Sequence, residues 1–251
     1  MALTFADDQN ATFSKTFTDA LDFTICAHLK PTDASIDDWA GICVSRPAGS
    51  QNGIILTDNT TGQHYVQMMW EGDEWSNSSG LSLSDGAWNF VAGTVDSIDN
   101  DSYQGLSGGT TLNSYNISGT FTAKTPALWA IGKDYGYSSR DYVGDMAELA
   151  IWTAKLTVAE LGSLQLGYSP LFIRPSSLAF YCPMISQPTG QTTFQDIVGG
   201  IQVSSASLEG DSAAHPRIIN PSRRKIFVPA AAAASGVFDI FGSGIIAGVA
   251  Q

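Results

Sequence analysis

The sequence predicts an all-β protein: an antiparallel β-sandwich of the jelly-roll type with one short helix and a C-terminal extension. Aromatic residues make up 10% of the chain and charged residues only 14%, and long runs with helical spacing are almost absent. Short apolar runs separated by turn-forming residues recur through the first 210 residues, as in sandwiches built from many short strands. A chain of 251 residues can bury a full core as one β domain without metal or disulfide staples.

Strand candidates follow one another along the chain, bounded by turn formers such as Pro31–Asp33 and Ser84–Gly86. In Phe23–Leu29 the odd positions are apolar and line one face of the strand. His28 falls on the other face, where it points either to solvent or across to a neighbouring strand. The clear candidates are Phe23–Leu29, Gly41–Val44, Gly53–Leu56, His64–Trp70, Trp88–Val95, Tyr115–Phe121, Ala127–Ile131, Met146–Trp152 and Leu178–Tyr181.

One short helix is predicted directly after Leu156. Thr157 is followed three residues later by Glu160, which is the pattern of a capping box at a helix N-terminus. We expect the helix to end near Gly162 or Gly167, since glycine is common just past helix ends.

The three cysteines cannot all pair within the chain. Cys26 and Cys182 lie in apolar, strand-like runs, where a buried free thiol is the common explanation.

The net charge of −12 argues against a general nucleic-acid binder, because phosphate affinity comes from accumulated lysine and arginine. Residues 1–210 carry 22 acidic and 8 basic residues, a net charge of −14, whereas residues 211–251 carry four basic and two acidic residues. An acidic body with a basic tail favours association between copies. The N-terminus lacks the basic and apolar regions of a secretory signal, and no run of 18 apolar residues predicts a membrane span.

Four segments resemble motifs of laminin G-like, concanavalin A-like domains. Asp22–Pro31 resembles the strand FTISAWVKP, and Trp88–Asp96 resembles W-x-H-V-A-x-T-x-D. Ile131–Gly132 followed by Tyr142–Trp152 is similar to IG…F-x-G-x-I-D-E-V-x-I-W, and Leu156–Leu161 is similar to the closing turn LS-x-x-E-I. The motifs occur in the family's order and cover about residues 1–165. They imply the concanavalin A-like sandwich, which carries lectins, enzymes, adhesion modules and structural proteins.

A fifth segment, Leu178–Met184 with Asp196–Gly200, resembles the L-V-A-Y-W-P-L-D-E…D-x-S-G opening that usually precedes such a domain. Here it follows the domain. We expect residues 171–210 to return and complete the same sandwich, so that the domain spans 1–214 and an arm spans 215–251. The alternative is the stub of a truncated second unit.

Glu71 and Asp73 have the alternate spacing of the carboxylate pair in laminarinase-type glycoside hydrolases, which share this sandwich. Retaining hydrolysis needs two carboxyl groups about 5–5.5 Å apart. Gly72 stands where the enzyme motif has a β-branched residue, and the segment Glu74–Asn77 is typical of a turn. We therefore expect a solvated loop here and no enzymatic activity.

Some relatives bind Ca²⁺ at a sandwich edge through carboxylate and amide oxygens. The corresponding candidates here are weak, because they match no fixed ligand spacing, so no cofactor is expected and Ca²⁺ stays the alternative. They are Asp96, Asp99, Asp134, Asp141 and Asp145. Five aromatic residues near turns are candidates for stacking on sugar rings, with packing or protein contact as the favoured explanation. They are Trp70, Trp75, Tyr135, Tyr137 and Tyr142.

The arm combines a basic cluster with an apolar end. Burying the seven large apolar side chains of Ser235–Gln251 contributes roughly 10–20 kcal/mol, whereas ordering the backbone costs roughly 17–34 kcal/mol. Docking therefore also needs backbone hydrogen bonds, for example by adding a strand to another subunit's sheet. The residues expected to bind partners are Arg217, Arg223, Arg224, Lys225, Phe227, Val237, Phe238, Ile240, Phe241, Ile245 and Ile246.

The layout also resembles a class of phage virion proteins, whose tail phrase HPRIIxPSRRxxFVPA matches His215–Ile219, Pro221–Arg224 and Phe227–Ala230. The resemblance implies a capsid decoration or other particle-surface protein, made in a bacterial cytoplasm without a signal peptide. The sandwich would face outward, and the arm would bind copies of itself and other particle proteins. The alternatives are a carbohydrate-binding module or adhesin that binds surface glycans and, third, a degenerate glycoside hydrolase.

Overall fold

The structure is a computed structural model. It describes residues 2–17, 22–32, 39–45, 54–59, 65–71, 74–75, 83–95, 101–105, 113–116, 127–134, 137, 140–185, 193–205, 209–210 and 214–219. For 54–59, 65–71, 74–75, 101–105, 113–116 and 209–210 it describes the strand pairing alone.

The described residues form sixteen strands, one α-helix and one 3₁₀ turn. The strands are β1 (Leu3–Phe5), β2 (Ala11–Ser14), β3 (Phe23–Pro31), β4 (Ala40–Ser45), β5 (Ile54–Asn59), β6 (Tyr65–Glu71), β7 (Glu74–Trp75), β8 (Asn89–Val95), β9 (Asp101–Gly105), β10 (Asn113–Asn116), β11 (Leu128–Ile131), β12 (Gly144–Trp152), β13 (Leu178–Cys182), β14 (Thr193–Gln195), β15 (Gln202–Ser205) and β16 (Glu209–Gly210). The helix α1 spans Val158–Gln165, and the 3₁₀ turn spans Pro170–Phe172.

The strands form two antiparallel sheets. Sheet A has the order β10-β9-β8-β3-β12-β1-β16, and β13 also pairs with β12. Sheet B has the order β14-β15-β2-β11-β4-β5-β6-β7. The edge of β12 that faces away from β3 is shared, since β1 pairs with its first part and β13 with its last part. The predicted antiparallel β-sandwich is confirmed.

The core between the sheets is built around a row of aromatic rings. Phe180 stacks on Phe13 at a centroid distance of 4.1 Å, and Phe13 stacks on Trp129 at 5.8 Å. Trp129 stacks in turn on Phe23 at 5.8 Å, and Phe17 packs edge-on against both rings. The row joins strands of both sheets, so it fixes how the two layers face each other.

Sheet A is also covered on its outer face. Leu161 and Leu164 of α1 pack there in a second apolar cluster with Cys26 and Trp152, and the Trp152 indole donates to Ile173 O at 2.8 Å. Both faces of β3 are therefore buried, and the odd positions of Phe23–Leu29 lie in the core between the sheets, as predicted. His28 is buried and lies 5.3 Å from the Phe90 ring on β8. The neighbouring-strand alternative for His28 is thus right, and the solvent-facing one is wrong.

Helix α1 begins with the predicted capping box. The Thr157 hydroxyl accepts a hydrogen bond from Glu160 N at 3.3 Å, and the Glu160 carboxylate accepts one from Thr157 N at 2.7 Å. Burial alone would raise the pKa of Glu160, but bonds from Thr157 and Arg174 outweigh it and lower the pKa. The helix ends at Gln165, and Gly167 follows at φ +90°, so Gly167 is the correct one of the two predicted ends.

The described strands within 171–210 lie in the same two sheets as the N-terminal strands. β13 pairs with β12, β15 pairs with β2, and β16 pairs with β1. The buried Asp196 joins β13 to the turn that follows β14. Its carboxylate accepts hydrogen bonds from Tyr181 N at 2.8 Å and from Gly199 N at 2.7 Å. The chain comprises two units, Met1–Arg217 and Ile218–Gln251, and only 218–219 of the second unit are described.

Each of the nine predicted strands overlaps a strand of the structure, although 117–121, the end of the candidate Tyr115–Phe121, lies outside the described residues. The prediction missed several short strands, among them β1, β2 and β15. It was also wrong for Glu74–Trp75, which is not a turn but a two-residue strand paired with β6.

Candidate functional site

The predicted sugar-contacting aromatics do not form one surface. Trp70 and Trp75 lie in β6 and β7, whose side chains are outside the description, as is Tyr135. Tyr142 is fully buried: its hydroxyl donates to Asp145 O at 3.0 Å, and its ring packs edge-on against Phe5. Its assignment as a loop aromatic is therefore corrected, because a ring inside the core has no face to offer a sugar.

Tyr137 belongs to a half-buried group on the loops that follow β3 and β11, which we call the rim platform: Trp39, Tyr137 and Arg140. The Arg140 guanidinium lies 3.6 Å from the Tyr137 ring centroid and 6.0 Å from that of Trp39. Its Nη1 also contacts the buried Asp134 carboxylate at 3.2 Å. Stacking of a guanidinium on aromatic faces, with a carboxylate to hold its edge, gives the platform a defined geometry.

Three of the carboxylates considered for Ca²⁺ are paired with cationic side chains. Asp134 pairs with Arg140 as described, and Asp141 pairs with Lys133 at 3.0 Å. Burial raises the pKa of Asp141, and Lys133 offsets this rise only in part. Asp145 accepts from the Thr4 hydroxyl at 2.7 Å and from the Lys30 ammonium at 3.4 Å.

Asp96 and Asp99 lie outside the described residues, and within the described part of the chain no three His, Cys, Asp or Glu side chains could hold a metal ion. Ca²⁺ binding stays a prediction. Glu71 is the last residue of β6 and Asp73 is outside the description, so their separation is open as well.

The most unusual backbone position in sheet A is Glu148. It sits in β12 at φ +58°, where the pairing with β3 shifts register between Ala147 and Ala150. A non-glycine residue in this region costs about 1–3 kcal/mol, and such strain collects at functional positions. The bulge turns the buried Glu148 carboxylate to the outer face of the sheet, and Glu148 N donates to Pro183 O at 3.1 Å.

Two side chains from distant parts of the chain meet the Glu148 carboxylate. The Tyr181 hydroxyl of β13 donates a short hydrogen bond to Oε2, and His215 Nε2 lies 3.2 Å from Oε1. We call this group the anchor: Glu148, Tyr181 and His215. It joins β12, β13 and the first residues of the predicted arm.

The surroundings of His215 favour the doubly protonated ring. Nε2 lies 3.1 Å from Pro183 O, and Nδ1 lies 2.9 Å from Pro216 O. Since carbonyl and carboxylate oxygens only accept, both ring nitrogens are best satisfied as donors. Burial lowers the pKa of His215, but the bonds to Glu148, Pro183 and Pro216 outweigh it, and the pKa is raised overall. The Trp88 indole fixes the preceding residue by donating to Ala214 O at 3.0 Å.

His28 lies near the anchor and differs from His215 in charge. Burial, and secondly the neighbouring His215, lowers the pKa of His28 to about 4. Its Nδ1 is buried without a hydrogen-bond partner. The two histidines therefore differ: the raised pKa of His215 favours its charged form beside Glu148, whereas the lowered pKa of His28 keeps that ring neutral near neutral pH.

The anchor holds chain segments together and does not activate a nucleophile. Burial and the nearby Glu148 charge raise the pKa of both the Tyr181 hydroxyl and the Cys26 thiol. Both groups are thus neutral at physiological pH, and only an ionised thiol is strongly nucleophilic. Cys43 and Cys182 are also buried and free, and burial raises the pKa of Cys182 to about 12.

A cavity of about 470 Å³, which we call the edge cleft, lies beside the anchor. It is lined by Cys182, Pro183, Met184, Ile185, Thr193, Phe194, Gln195, Ile197 and Gln202. Pro183 belongs to both features, since its carbonyl oxygen accepts from His215. Of the residues predicted to bind partners, Arg217 is exposed just past the anchor, and the others lie outside the described residues.

Sequence reasoning missed the anchor. Glu148 lay inside a recognised family motif and His215 inside the arm phrase, 67 positions apart, with no shared pattern to link them. Separately, among the described residues no helix is long and apolar enough to cross a membrane.

Comparisons with solved structures agree on the fold. A candidate carbohydrate-binding protein from Bacteroides ovatus matches with a TM-score of 0.61 and 18% identity over 88% of this chain, which spans 63% of that protein. A heptameric SAP-like pentraxin from Limulus polyphemus matches with a TM-score of 0.52 and 13% identity, covering 65% of this chain and 80% of the pentraxin. The enzymatically active domain of tailspike protein 2 from bacteriophage CBA120 matches with a TM-score of 0.53 and 12% identity, covering 72% and 29%.

No curated protein sequence matches the chain significantly. The model of the concanavalin A-like lectin/glucanase superfamily with laminin G-like sequences matches residues 5–162, more than half of the chain. Together with the two facing antiparallel sheets, this match establishes that the protein belongs to the concanavalin A-like lectin/glucanase superfamily.

Proposed function

We propose that this protein is a non-enzymatic structural component of a virus particle surface, with the sandwich facing outward and the C-terminal arm docked on neighbouring subunits. The anchor is the observation that carries the proposal. His215 is held by Glu148 Oε1 at 3.2 Å and by Pro183 O at 3.1 Å, directly before the arm. Because the residue from which the arm leaves is bonded to the sandwich, an arm that binds a neighbouring subunit also attaches the sandwich to that subunit.

The chemistry of the described side chains supports a binding role over catalysis. Asp134, Asp141 and Asp145 are each paired with a cation. Glu148 is buried and bonded to Tyr181 and His215, so it has no open side for a substrate. General acid–base work needs a carboxyl group within reach of a substrate proton.

The arm supplies the partner-binding side of the proposal. Its apolar end requires a hydrogen-bonded partner, as the free-energy comparison above indicates, and its basic cluster Arg223–Lys225 is attracted to the acidic body of another copy. The likeness to a phage tailspike domain supports the proposal only in that this fold is used in a phage protein.

The test is full-length protein with Phe238→Asp and Phe241→Asp, compared with Ser235→Asp and Ser243→Asp as the control. The control adds the same charge to the same segment without removing an apolar side chain. Losing two buried phenylalanines costs about 3–6 kcal/mol, so association should weaken more than a hundredfold. Sedimentation velocity measures it. Equal association of both variants, or a wild-type protein that stays monomeric at every concentration, refutes the proposal.

The rim platform supports glycan binding as a second candidate function. Trp39 and Tyr137 are half-buried rings that lie against the Arg140 guanidinium on loops of the sandwich, and binding residues are commonly carried on such loops. The candidate carbohydrate-binding protein from Bacteroides ovatus shares the fold. Trp70, Trp75 and Tyr135 remain predicted contacts.

A glycan array on the full-length protein tests this candidate, with Tyr137→Ala as the variant. Glycans that bind the wild-type protein but not the variant support this function. If the wild-type protein binds no glycan on the array, this function is excluded. Deleting residues 229–251 separates the two functions, because assembly should then fail while glycan binding survives.

A further inference from the structure

The edge cleft carries an uncovered apolar rim. Ile185 and Ile197, which line it, are 50% and 51% exposed, and Val198 beside them is 41% exposed. Grouped exposed aliphatic side chains around a cavity mark binding surfaces more often than isolated ones do. The volume of about 470 Å³ falls in the range of cavities that accept a ligand or a few side chains.

The cleft lies between elements that close the two sheets. Cys182 is the last residue of β13 in sheet A, and Phe194 lies in β14, which ends sheet B among the described strands. Asp196 ties the two together by accepting from Tyr181 N at 2.8 Å. The cleft is therefore lined by segments of both sheets that are joined by a hydrogen bond.

The position at which the arm begins indicates which segment of the chain could fill the edge cleft. His215 is bonded to Pro183 O at 3.1 Å, and Pro183 lines the cleft. The apolar stretch Ser235–Gln251 follows Ile219 after the fifteen residues 220–234. That tether spans up to about 50 Å when extended, far more than is needed to reach a cleft whose rim begins at the anchor. Its length suits the span to a neighbouring molecule.

From these observations, and resting on the proposed function, we propose that the edge cleft is the receptor for the arm of a second copy. Large apolar side chains of Ser235–Gln251 from one molecule pack against Ile185 and Ile197 of the next. Because the arm of one copy then contacts the cleft of another, two different parts of the chain form the contact. Such a contact is head-to-tail, and it closes into a ring or continues along a surface.

The first test removes the rim without touching the core. Full-length protein with Ile185→Asp and Ile197→Asp is compared with Leu128→Asp and Val158→Asp, since Leu128 is 54% and Val158 49% exposed elsewhere on the body. The cleft variant should associate at least tenfold more weakly in sedimentation velocity, and the control should match wild type. Near-ultraviolet circular dichroism confirms that each variant is folded.

The results separate this inference from the proposed function. If Phe238→Asp with Phe241→Asp abolishes association and the cleft variant does not, the cleft is not the receptor, although the arm still docks. If neither weakens association, both proposals fail. A control that weakens association as much as the cleft variant also overturns the inference, because added surface charge alone would then explain the loss.

Mixing two defective variants distinguishes a neighbour's arm from the molecule's own arm. The arm variant has an intact cleft, and the cleft variant has an intact arm. Docking between molecules predicts that an equimolar mixture forms a one-to-one complex that neither variant forms alone. Docking within one molecule predicts no complex, and that outcome overturns the proposal.

Discussion

Replacing His215 with glutamine should destabilise the protein, and more so at low pH. Glutamine keeps a donor near Glu148 and Pro183 but cannot carry a charge. In the native protein His215 Nε2 lies 3.2 Å from the buried Glu148 carboxylate and 3.1 Å from Pro183 O. A hydrogen bond to a charged group contributes about 1.5–3 kcal/mol, so we expect a loss of about 2 kcal/mol at pH 5.5.

The pH dependence follows from the direction of the pKa shift. The pKa of His215 is raised in the folded protein above its ordinary value of 6.5. Its contribution is therefore complete below pH 6.5 and is lost as pH rises through the folded-state pKa. The difference between wild type and His215→Gln should therefore be smaller at pH 8.5 than at pH 5.5.

Urea unfolding followed by tryptophan fluorescence at both pH values measures this difference. Arg217→Gln is the matched control, because Arg217 is exposed two residues away and its loss should change stability by less than about 0.5 kcal/mol. A His215→Gln variant equally stable to wild type at pH 5.5, or a difference that is the same at both pH values, would refute the role of a charged His215.

Three further predictions concern the body. Gly132→Ala should lose about 3 kcal/mol in urea unfolding, because Gly132 has φ +79° and an added Cβ would lie 2.3 Å from the Phe5 ring; a stable variant would show that the loop gives way. His28→Phe should gain stability relative to wild type as pH falls below 6.5, since the folded protein resists protonating His28 until about pH 4; unchanged acid unfolding would contradict this. The buried thiols of Cys26, Cys43 and Cys182 should react with a disulfide reagent only after unfolding. Fast labelling of the native protein would be inconsistent with their burial.

The long central strands were predictable because their side chains carry the signal. In Phe23–Leu29 the apolar odd positions lie in the core, and the residues between them lie on a face that proved to be covered as well. The motif that includes Gly144–Trp152 indicated the strand that pairs with it. The capping pair Thr157 and Glu160 was equally readable, since a cap depends on residues only three positions apart.

The short strands and the anchor were not predictable, because their positions depend on residues that are distant in the sequence and not on a local pattern. Leu3–Phe5 is too short for a periodic pattern, and its place is set by partners about 140 and 206 positions away. Tyr142 had the surroundings of a loop residue, yet the turn carries it into the core. The positive φ of Glu148 depends on a bulge that no local pattern announces, and so does its meeting with His215.

The shared edge of β12 has a consequence for biosynthesis. Its first part pairs with β1 and its last part pairs with β13, which lies more than 170 residues after β1 in the sequence. In the other sheet, β2 pairs with β15 near residue 204. Neither sheet can close until almost the whole body has left the ribosome, so folding is slow and largely post-translational. During that interval the chain exposes unpaired strand edges, and partly folded chains of this kind are prone to aggregation.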